Sequence, residues 1–343
     1  MDCTLRDGSY AVDFQFTSKF TNELATKLDQ LGFSYIEVGH GMGIDASEKA
    51  RRAAATDIEY AKATQSAVRE NKWGMFAIPG IASVDNVNRM FDLGMNFVRV
   101  GIDALELETG LDFVEKIMRS GREVFVNFMK SYALSYEELG ERINLAANCG
   151  VDGIYLVDSA GGMLPNEIET LSKIMLENRG TSYAGFHGHD NLGLAVYNSY
   201  YLATQGFDII DCTMQGLGRS SGNAETEQLA AILFKTGISN GLNISEILKT
   251  GEELVRPKIP QPGHSGLDTF AGLTLFHTSY MENLLQVCRK TGVDPYVLMQ
   301  EHCTKNKITA TNDQLFEVAL RLLNEGFELN SPLPSDKYIG SEQ

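Results

Sequence analysis

Two histidines separated by a single residue, His187 and His189, carry the sharpest chemical signal in this chain. On a β-strand, residues two apart point to the same side, so two imidazoles at one strand end can grip one ion. Alone, the pair fits equally two hydrogen-bonded histidines at a loop. Asp7 adds a carboxylate and Asn223 an amide oxygen. Two imidazoles, a carboxylate and an amide make a mixed nitrogen and oxygen set. Such a set suits a divalent ion such as Mn2+, Mg2+ or Zn2+, with positions left open for a bidentate ligand. No thiolate is in reach by this pattern, which disfavours a structural zinc. Arg6 stands beside Asp7. It is either an ion-pair partner of Glu37 or Asp158, or a guanidinium that stabilises a developing oxyanion next to a metal. The second reading is the better supported at an active-site rim. Arg99, inside an apolar run, reads as an interior ion pair. The run Gly216-x-Gly218-x-x-x-Gly222 is a weak phosphate signal and fits equally a rim loop that positions Asn223.

These residues need elements to bring them together. Short β-branched or aromatic runs recur at Asp2–Leu5, Tyr35–Gly39, Gly74–Ile78, Phe97–Gly101, Glu123–Phe128, Gly153–Val157, Tyr183–His187 and Ile209–Met214. Stretches with apolar spacings of three and four lie between them, among them Ser18–Leu31, Val84–Leu93, Tyr136–Asn148 and Leu192–Gln205. Glycines 32, 94, 121, 150 and 206 punctuate their ends. Strand alternating with helix, eight times over roughly 235 residues, predicts an α/β fold of the TIM (β/α)8 barrel type. A doubly wound sheet would need a Gly-rich turn after its first strand; here that turn is the charged Arg6-Asp7-Gly8-Ser9-Tyr10. In a barrel, chemistry gathers at the C-terminal strand ends. Arg6-Asp7, Glu37 to His40, Asp158-Ser159, His187 to Asn191 and the Gly216–Asn223 loop all fall there, and closure of the ring brings Asp7 near the histidines. The expected division is a barrel domain over 1–255, a Pro-rich linker over 256–266, and a small helical C-terminal extension over 267–343. In the extension, helices are expected at Leu275–Thr291, Pro295–Glu301 and Asp313–Glu325.

The chain has 343 residues, of which 43% are apolar and 22% charged, so a core is affordable and disorder is excluded. A net charge of −16 disfavours nucleic acid and anionic membranes as partners. There is no stretch of 18 apolar residues and no visible signal peptide. Five scattered cysteines without a CxxC fit a reducing, cytoplasmic setting rather than a disulfide framework.

Three separated segments, Asp2-Cys3-Thr4-Leu5-Arg6-Asp7-Gly8, His187-Gly188-His189-Asp190-Asn191 and Gly216-Leu217-Gly218-Arg219-Ser220-Ser221-Gly222-Asn223-Ala224, resemble the DRE-TIM metallolyase superfamily. That group includes 4-hydroxy-2-oxovalerate aldolases, the HMG-CoA lyase and the isopropylmalate and homocitrate synthases. Ile36 to Gly43, Val157 to Gly162 and the Arg256-Pro257 linker look most like the aldolases. The resemblance implies a divalent ion, Mn2+ foremost with Mg2+, Co2+ or Zn2+ as substitutes, held by Asp7, His187 and His189, with Asn223 as fourth ligand. It implies that the ion and Arg6 hold pyruvate or its enolate and that Ser159 touches the pyruvate carboxylate. It also implies a helical tail in which an aldehyde dehydrogenase partner would be sought; a homo-oligomer, such as a dimer, suits the fold.

The expected activity is that of a class II type pyruvate aldolase, cleaving a 4-hydroxy-2-oxo acid to pyruvate and an aldehyde or running the reverse. Two departures matter, one at the first rim loop and one in the extension. The aldolase histidine that serves as general base falls on Tyr10, a phenol with an ordinary pKa near ~10. The base is then Tyr10 itself, His40 or water on the ion. Two rivals stand beside this reading: a Claisen-type acyltransferase joining acetyl-CoA to a 2-oxo acid, and a non-catalytic barrel acting as a partner subunit. In the extension, Leu267–Tyr280 has no evident match to the aldolase tyrosine that orients the substrate hydroxyl; Phe270 or Thr274 lies in that region.

Overall fold

The computed structural model describes residues 1–103, 106–238, 241–259 and 266–325. Parallel strands β1 (Tyr35–Val38), β2 (Lys72–Ala77), β3 (Phe97–Asp103), β4 (Glu123–Met129), β5 (Gly153–Asp158), β6 (Tyr183–Gly188) and β7 (Ile209–Ile210) lie side by side in chain order. The N-terminus closes the ring. Asp2 bridges in parallel to Ile36 on one side and to Cys212 on the other. Its N–H donates to the Tyr35 carbonyl at 3.0 Å, and the Cys3 N–H donates to the Cys212 carbonyl at 2.9 Å. The fold is thus the expected (β/α)8 barrel, with the first strand reduced to a bridge.

That strand is shorter than Asp2–Leu5 for a visible reason. The N–H groups of Arg6 and Asp7 both turn back onto the Cys3 carbonyl, at 3.1 and 2.8 Å. The chain therefore leaves the sheet early and enters a short 3-10 helix, Asp7–Val12. Ile209–Met214 shortens likewise, to two strand residues followed by bridging at Cys212 and Thr213. The helices keep closer to their pattern. Ser18–Leu31 begins where Thr17 Oγ1 accepts the Phe20 N–H at 3.2 Å and ends at Gly32. Tyr136–Asn148 is capped by a reciprocal Ser135–Glu138 box.

Alternation along each strand sends every second side chain into the barrel. The interior is layered as a result. Phe97, Phe125, Tyr155, Val157 and Ile209 form an aromatic and aliphatic layer. Two residues further along their strands come Glu37, Arg99 and Asp211. Arg99 is fully buried and ion-pairs with both carboxylates, as its position in an apolar run implied. Its guanidinium lies 4.8 Å from the Tyr155 ring centroid. His187 stands level with Asp211 on the neighbouring strand, and His189 lies two residues further out, at the mouth.

The C-terminal part folds as helices Gly266–Thr274, Met281–Thr291, Pro295–Cys303 and Asn312–Asn324 around an apolar cluster of its own, from Leu267 to Leu322. The expected helix Leu275–Thr291 begins only at Met281, because Leu275 takes a positive φ of 59° and Thr278–Tyr280 forms a 3-10 turn. The stretch expected as linker opens with a 3-10 turn, Arg256–Lys258, that continues the preceding helical segment. Residues 260–265 of the linker and 326–343 of the extension lie outside the described residues. The helical part sits over the barrel mouth. Asn191 donates to the Asp268 carbonyl at 2.9 Å, and Ser220 to the Asp268 carboxylate at 2.8 Å. A Cβ on Gly162 would stand 2.4 Å from the Gly272 carbonyl oxygen, so only glycine admits this backbone-to-backbone approach. Among the described residues no helix is long and apolar enough to cross a membrane, and all five cysteines are free thiols.

Candidate metal centre and active site

The structure brings Asp7, His187 and His189 together: one ligand atom from each lies within 4.8 Å of the others, and all three side chains are buried. Each imidazole is turned by a second hydrogen bond. Nδ1 of His187 meets Asp211 Oδ2 at 2.8 Å, and Nδ1 of His189 meets the Gly222 carbonyl at 3.2 Å. With Nδ1 so engaged, Nε2 is the lone-pair nitrogen in each ring, the arrangement that fixes the tautomer of a metal-binding histidine. Burial, with Arg219 close by, holds His189 well below the usual imidazole range, so it is neutral and able to ligate. Burial pushes Asp7 upward, but Arg6, the two imidazoles and Arg219 outweigh it, and its carboxyl is held well below the usual range.

Asn223 completes the group. Its backbone pairs with His189 in an isolated bridge, its Nδ2 donates to Asp7 Oδ2 at 2.6 Å, and its buried Oδ1 has no partner. A buried amide oxygen without a partner, on a side chain bonded to Asp7, is an acceptor still short of a donor or a cation. The residues therefore fit a divalent ion. Gly218 shows how tightly the loop is drawn: a Cβ there would stand 2.4 Å from Asn223 Nδ2 and 2.9 Å from Asp7 Oδ2. The Gly-rich run thus serves as a rim loop that presents Asn223.

One expectation needs correction. A sulfur is in reach after all: Cys3, His187 and Asp211 also bring ligand atoms within 4.8 Å of one another. The early turn of the first strand leaves Cys3 pointing inward beneath Asp7. Burial pushes its thiol well above the usual range, and Arg99 donates to Sγ at 3.2 Å. Asp211 is already engaged by Arg99 and His187. The trio of one carboxylate and two imidazoles is the better metal site.

Arg6 takes the ion-pair position foreseen for it, with Glu37 and not with Asp158. Its Nε donates to Glu37 at 2.7 Å and its NH1 to Asp7 Oδ1 at 2.6 Å, while the guanidinium lies over the Phe76 ring. Asp158 does not pair with it: that carboxylate accepts the N–H groups of Gly162 and Met163 at 3.0 and 2.9 Å, and burial pushes it up to about 6. Ser159 Oγ accepts the Lys130 N–H at 3.1 Å. Tyr10 is buried on the same 3-10 helix as Asp7, three residues on, where side chains eclipse. Its ring packs on Phe14 and on the backbone of Gly41.

His40 is placed differently from a poised base. Its Nδ1 accepts the Met42 N–H at 3.1 Å, its Nε2 meets the Arg51 carbonyl at 2.8 Å, and the ring stacks on Phe14. Both nitrogens serve the backbone, and burial pushes the imidazole down to about 4. Phe270 packs edge-on against Tyr296, and the Thr274 hydroxyl donates to the Phe270 carbonyl at 2.9 Å.

Sequence reasoning missed three contributors. Asp211 orients His187 from the strand interior. Arg219, read only as part of the glycine motif, is 5% exposed and donates to His189 Nε2 at 2.9 Å, to the Ser159 carbonyl at 3.0 Å and to Thr278. His277 lies buried nearby and is held well below the usual range by burial and by Arg219. The alternation along the last strand could have shown Asp211; nothing in the periodicity of the C-terminal part says that it folds back over the mouth.

The HMGL-like family profile matches residues 1–254. 4-Hydroxy-2-oxovalerate aldolase 4 of Rhodococcus opacus strain B4 is 32% identical, over 96% of this chain and 95% of that one. The oxaloacetate decarboxylase of Mycobacterium tuberculosis H37Rv is 35% identical, over 85% and 87%. Among solved structures, the N-terminal domain of a Bacteroides vulgatus protein superposes with a TM-score of 0.72 at 24% identity, covering 83% of this chain and 95% of that one. The carboxyl transferase domain of Rhizobium etli pyruvate carboxylase superposes at 0.76 and 16% identity, covering 94% and 60%. These superpositions bear on the fold alone. With a matching profile over the barrel and relatives aligned over nearly its whole length, the chain belongs to the HMGL-like family.

Proposed function

We propose that this protein is a divalent-metal-dependent pyruvate aldolase of class II type, splitting a 4-hydroxy-2-oxo acid into pyruvate and an aldehyde. The observation that carries the reading is the buried Asp7, His187 and His189 trio with the orphaned Asn223 amide oxygen beside it. The relatives named as aldolases favour it over an acyltransferase. When bound, the ion supplies Lewis acidity at the 2-oxo group and neutralises developing negative charge. The chain does the rest. Asp7, His187, His189 and Asn223 hold the ion. Arg6, kept rigid between Glu37 and Asp7, faces the growing enolate charge. Ser159 has its hydroxyl proton to give to the substrate carboxylate. Tyr10 takes the C4 hydroxyl proton; the C3–C4 bond breaks, its electron pair passes to the C2 oxygen, and the aldehyde leaves. The enolate then gains a proton at C3 to become pyruvate. Chemistry through a lysine imine has less support, since the buried lysine among the described residues, Lys130, is ion-paired with Asp103 at 3.0 Å.

A second reading follows from the base. Decarboxylating a 2-oxo acid that bears a carboxylate at C4 leaves the same pyruvate enolate and asks for no base. The engaged nitrogens of His40 and the name of the Mycobacterium tuberculosis relative favour it. The deciding experiment incubates Mn2+-loaded protein with pyruvate in D2O and follows the methyl protons by NMR. Exchange is expected in the wild type, and Arg6→Ala should slow it by ~10²-fold or more, as for loss of one oxyanion donor. No exchange in the wild type removes the enolate chemistry common to both readings; turnover of oxaloacetate without cleavage of 4-hydroxy-2-oxo acids selects the second.

A further inference from the structure

The buried Arg and Lys side chains among the described residues are Arg6, Arg99, Lys130 and Arg219. Three of them are matched by carboxylates: Arg6 by Glu37 and Asp7, Arg99 by Glu37 and Asp211, Lys130 by Asp103. Among the described residues no carboxylate forms an ion pair with Arg219, although its charge helps to hold Asp7 low. The acceptors of Arg219 are the Thr278 hydroxyl, the Ser159 carbonyl at 3.0 Å and His189 Nε2 at 2.9 Å. All three are neutral. A guanidinium out of water whose hydrogen bonds all go to neutral acceptors lacks a directly bonded counter-ion, and its planar fork is shaped for a carboxylate.

One of those acceptors is also claimed by something else. His189 Nδ1 is directed at Gly222, so Nε2 carries the lone pair that would ligate an ion. One lone pair serves one partner. The Arg219 hydrogen bond and metal ligation by His189 are therefore alternatives. When His189 ligates, an N–H of Arg219 is released at the edge of the ion's surroundings, while Thr278 and the Ser159 carbonyl still anchor the rest of the side chain.

We propose that Arg219 is the counter-ion for the C1 carboxylate of the bound 2-oxo acid, exchanging His189 Nε2 for a carboxylate oxygen. The proposal rests on the metal-enolate reading above. The placement is specific. Ser159, whose hydroxyl faces the carboxylate in that reading, offers its backbone carbonyl to the same Arg219 nitrogen, so a carboxylate on the hydroxyl lies beside the guanidinium. Arg6 is the poorer partner for this carboxylate: two carboxylates already balance its charge, and its remaining N–H groups serve the enolate oxygen in that reading. The anchor Thr278 belongs to the helical extension, which thereby holds one end of a substrate-binding side chain that starts on the barrel.

The test is calorimetric. Full-length protein loaded with Mn2+ is titrated with pyruvate and with methyl pyruvate, its uncharged ester, in wild type, Arg219→Gln and Arg219→Lys. Wild type should prefer pyruvate. Arg219→Gln should weaken pyruvate by ~10- to 100-fold, the range for a hydrogen bond to a charged group, and leave the ester unchanged. Arg219→Lys should recover part of the preference. Mn2+ affinity in Arg219→Gln should be equal or tighter, because a competitor for Nε2 is gone. Undiminished preference for pyruvate in Arg219→Gln overturns the proposal. So does loss of Mn2+ binding in both variants, which would make Arg219 a structural prop. Failure of the wild type to bind Mn2+ removes the metal reading and the proposal with it, a pattern distinct from the other two.

Discussion

Tyr10 and His40 divide between them the question of where the substrate proton goes. His40 is spent on two backbone bonds and a stack with Phe14, and protonating it requires breaking the bond from the Met42 N–H. Tyr10 shares a face with Asp7 on the first rim turn, beside the position proposed for the ion. A nearby cation favours the phenolate. Tyr10→Phe is therefore expected to suppress aldol cleavage by at least ~10²-fold, the usual contribution of a positioned base. Pyruvate methyl exchange should persist in the same variant, because Arg6 and the metal ligands are untouched. Rates of cleavage and exchange measured side by side decide the matter: full cleavage activity in Tyr10→Phe means the ring is only a wall of the pocket.

At the scale of elements, the rim loop from Met214 to Asn223 does the most with the least room. Its backbone is stitched to the segment that follows β6 through Asp190, whose N–H donates to the Gly222 carbonyl at 3.0 Å, and to Asp7 through the Arg219 N–H at 3.3 Å. Gly218→Ala would drive a methyl group into Asn223 Nδ2, 2.4 Å away. Mn2+ affinity should fall by ~10- to 100-fold, the range for disturbing a partner of a metal ligand. Circular dichroism should show the barrel intact; unchanged affinity would show that Asn223 contributes nothing to the site. This element also shows what was legible beforehand. His187 and His189 were readable because a strand's period of two is a local property. Asp7 and Asn223 were readable once closure of the barrel was inferred. Arg219 was not, since its partners Ser159 and Thr278 lie 60 residues before it and 59 after it, and no local pattern records such a meeting. The same holds for Cys3: its inward aim follows from an early turn set by two bonds to one carbonyl, and its residues look like ordinary strand.

Across the whole molecule, the buried groups of the rim make stability depend on pH. His40 is held near 4 by burial, against an ordinary imidazole value near ~6.5. Between those values the unfolded chain binds a proton that the native one does not. His40 therefore supports the fold fully above the upper value, and that support is lost as pH falls toward the lower one. At about 1.4 kcal/mol per unit, the loss is on the order of 3 kcal/mol at most. The melting temperature followed from pH 7.5 down to 4.5 should drop more steeply for wild type than for His40→Gln; equal slopes would show that the native ring accepts its proton without cost. The belt of Glu37, Arg99 and Asp211 has a different consequence, one that concerns how the chain reaches this state. Arg99 meets one carboxylate from 62 residues before it and another from 112 residues after it. Asp211 arrives only when the last strand swings in against the N-terminus. Until then a guanidinium committed to the interior is short of a partner, and breaking such a buried pair costs ~3–5 kcal/mol. A barrel stalled with its ring open is thereby made an unfavourable resting place. Closure is delayed by the long loops it must tie, yet once made it holds first and last strands together as a single cooperative event.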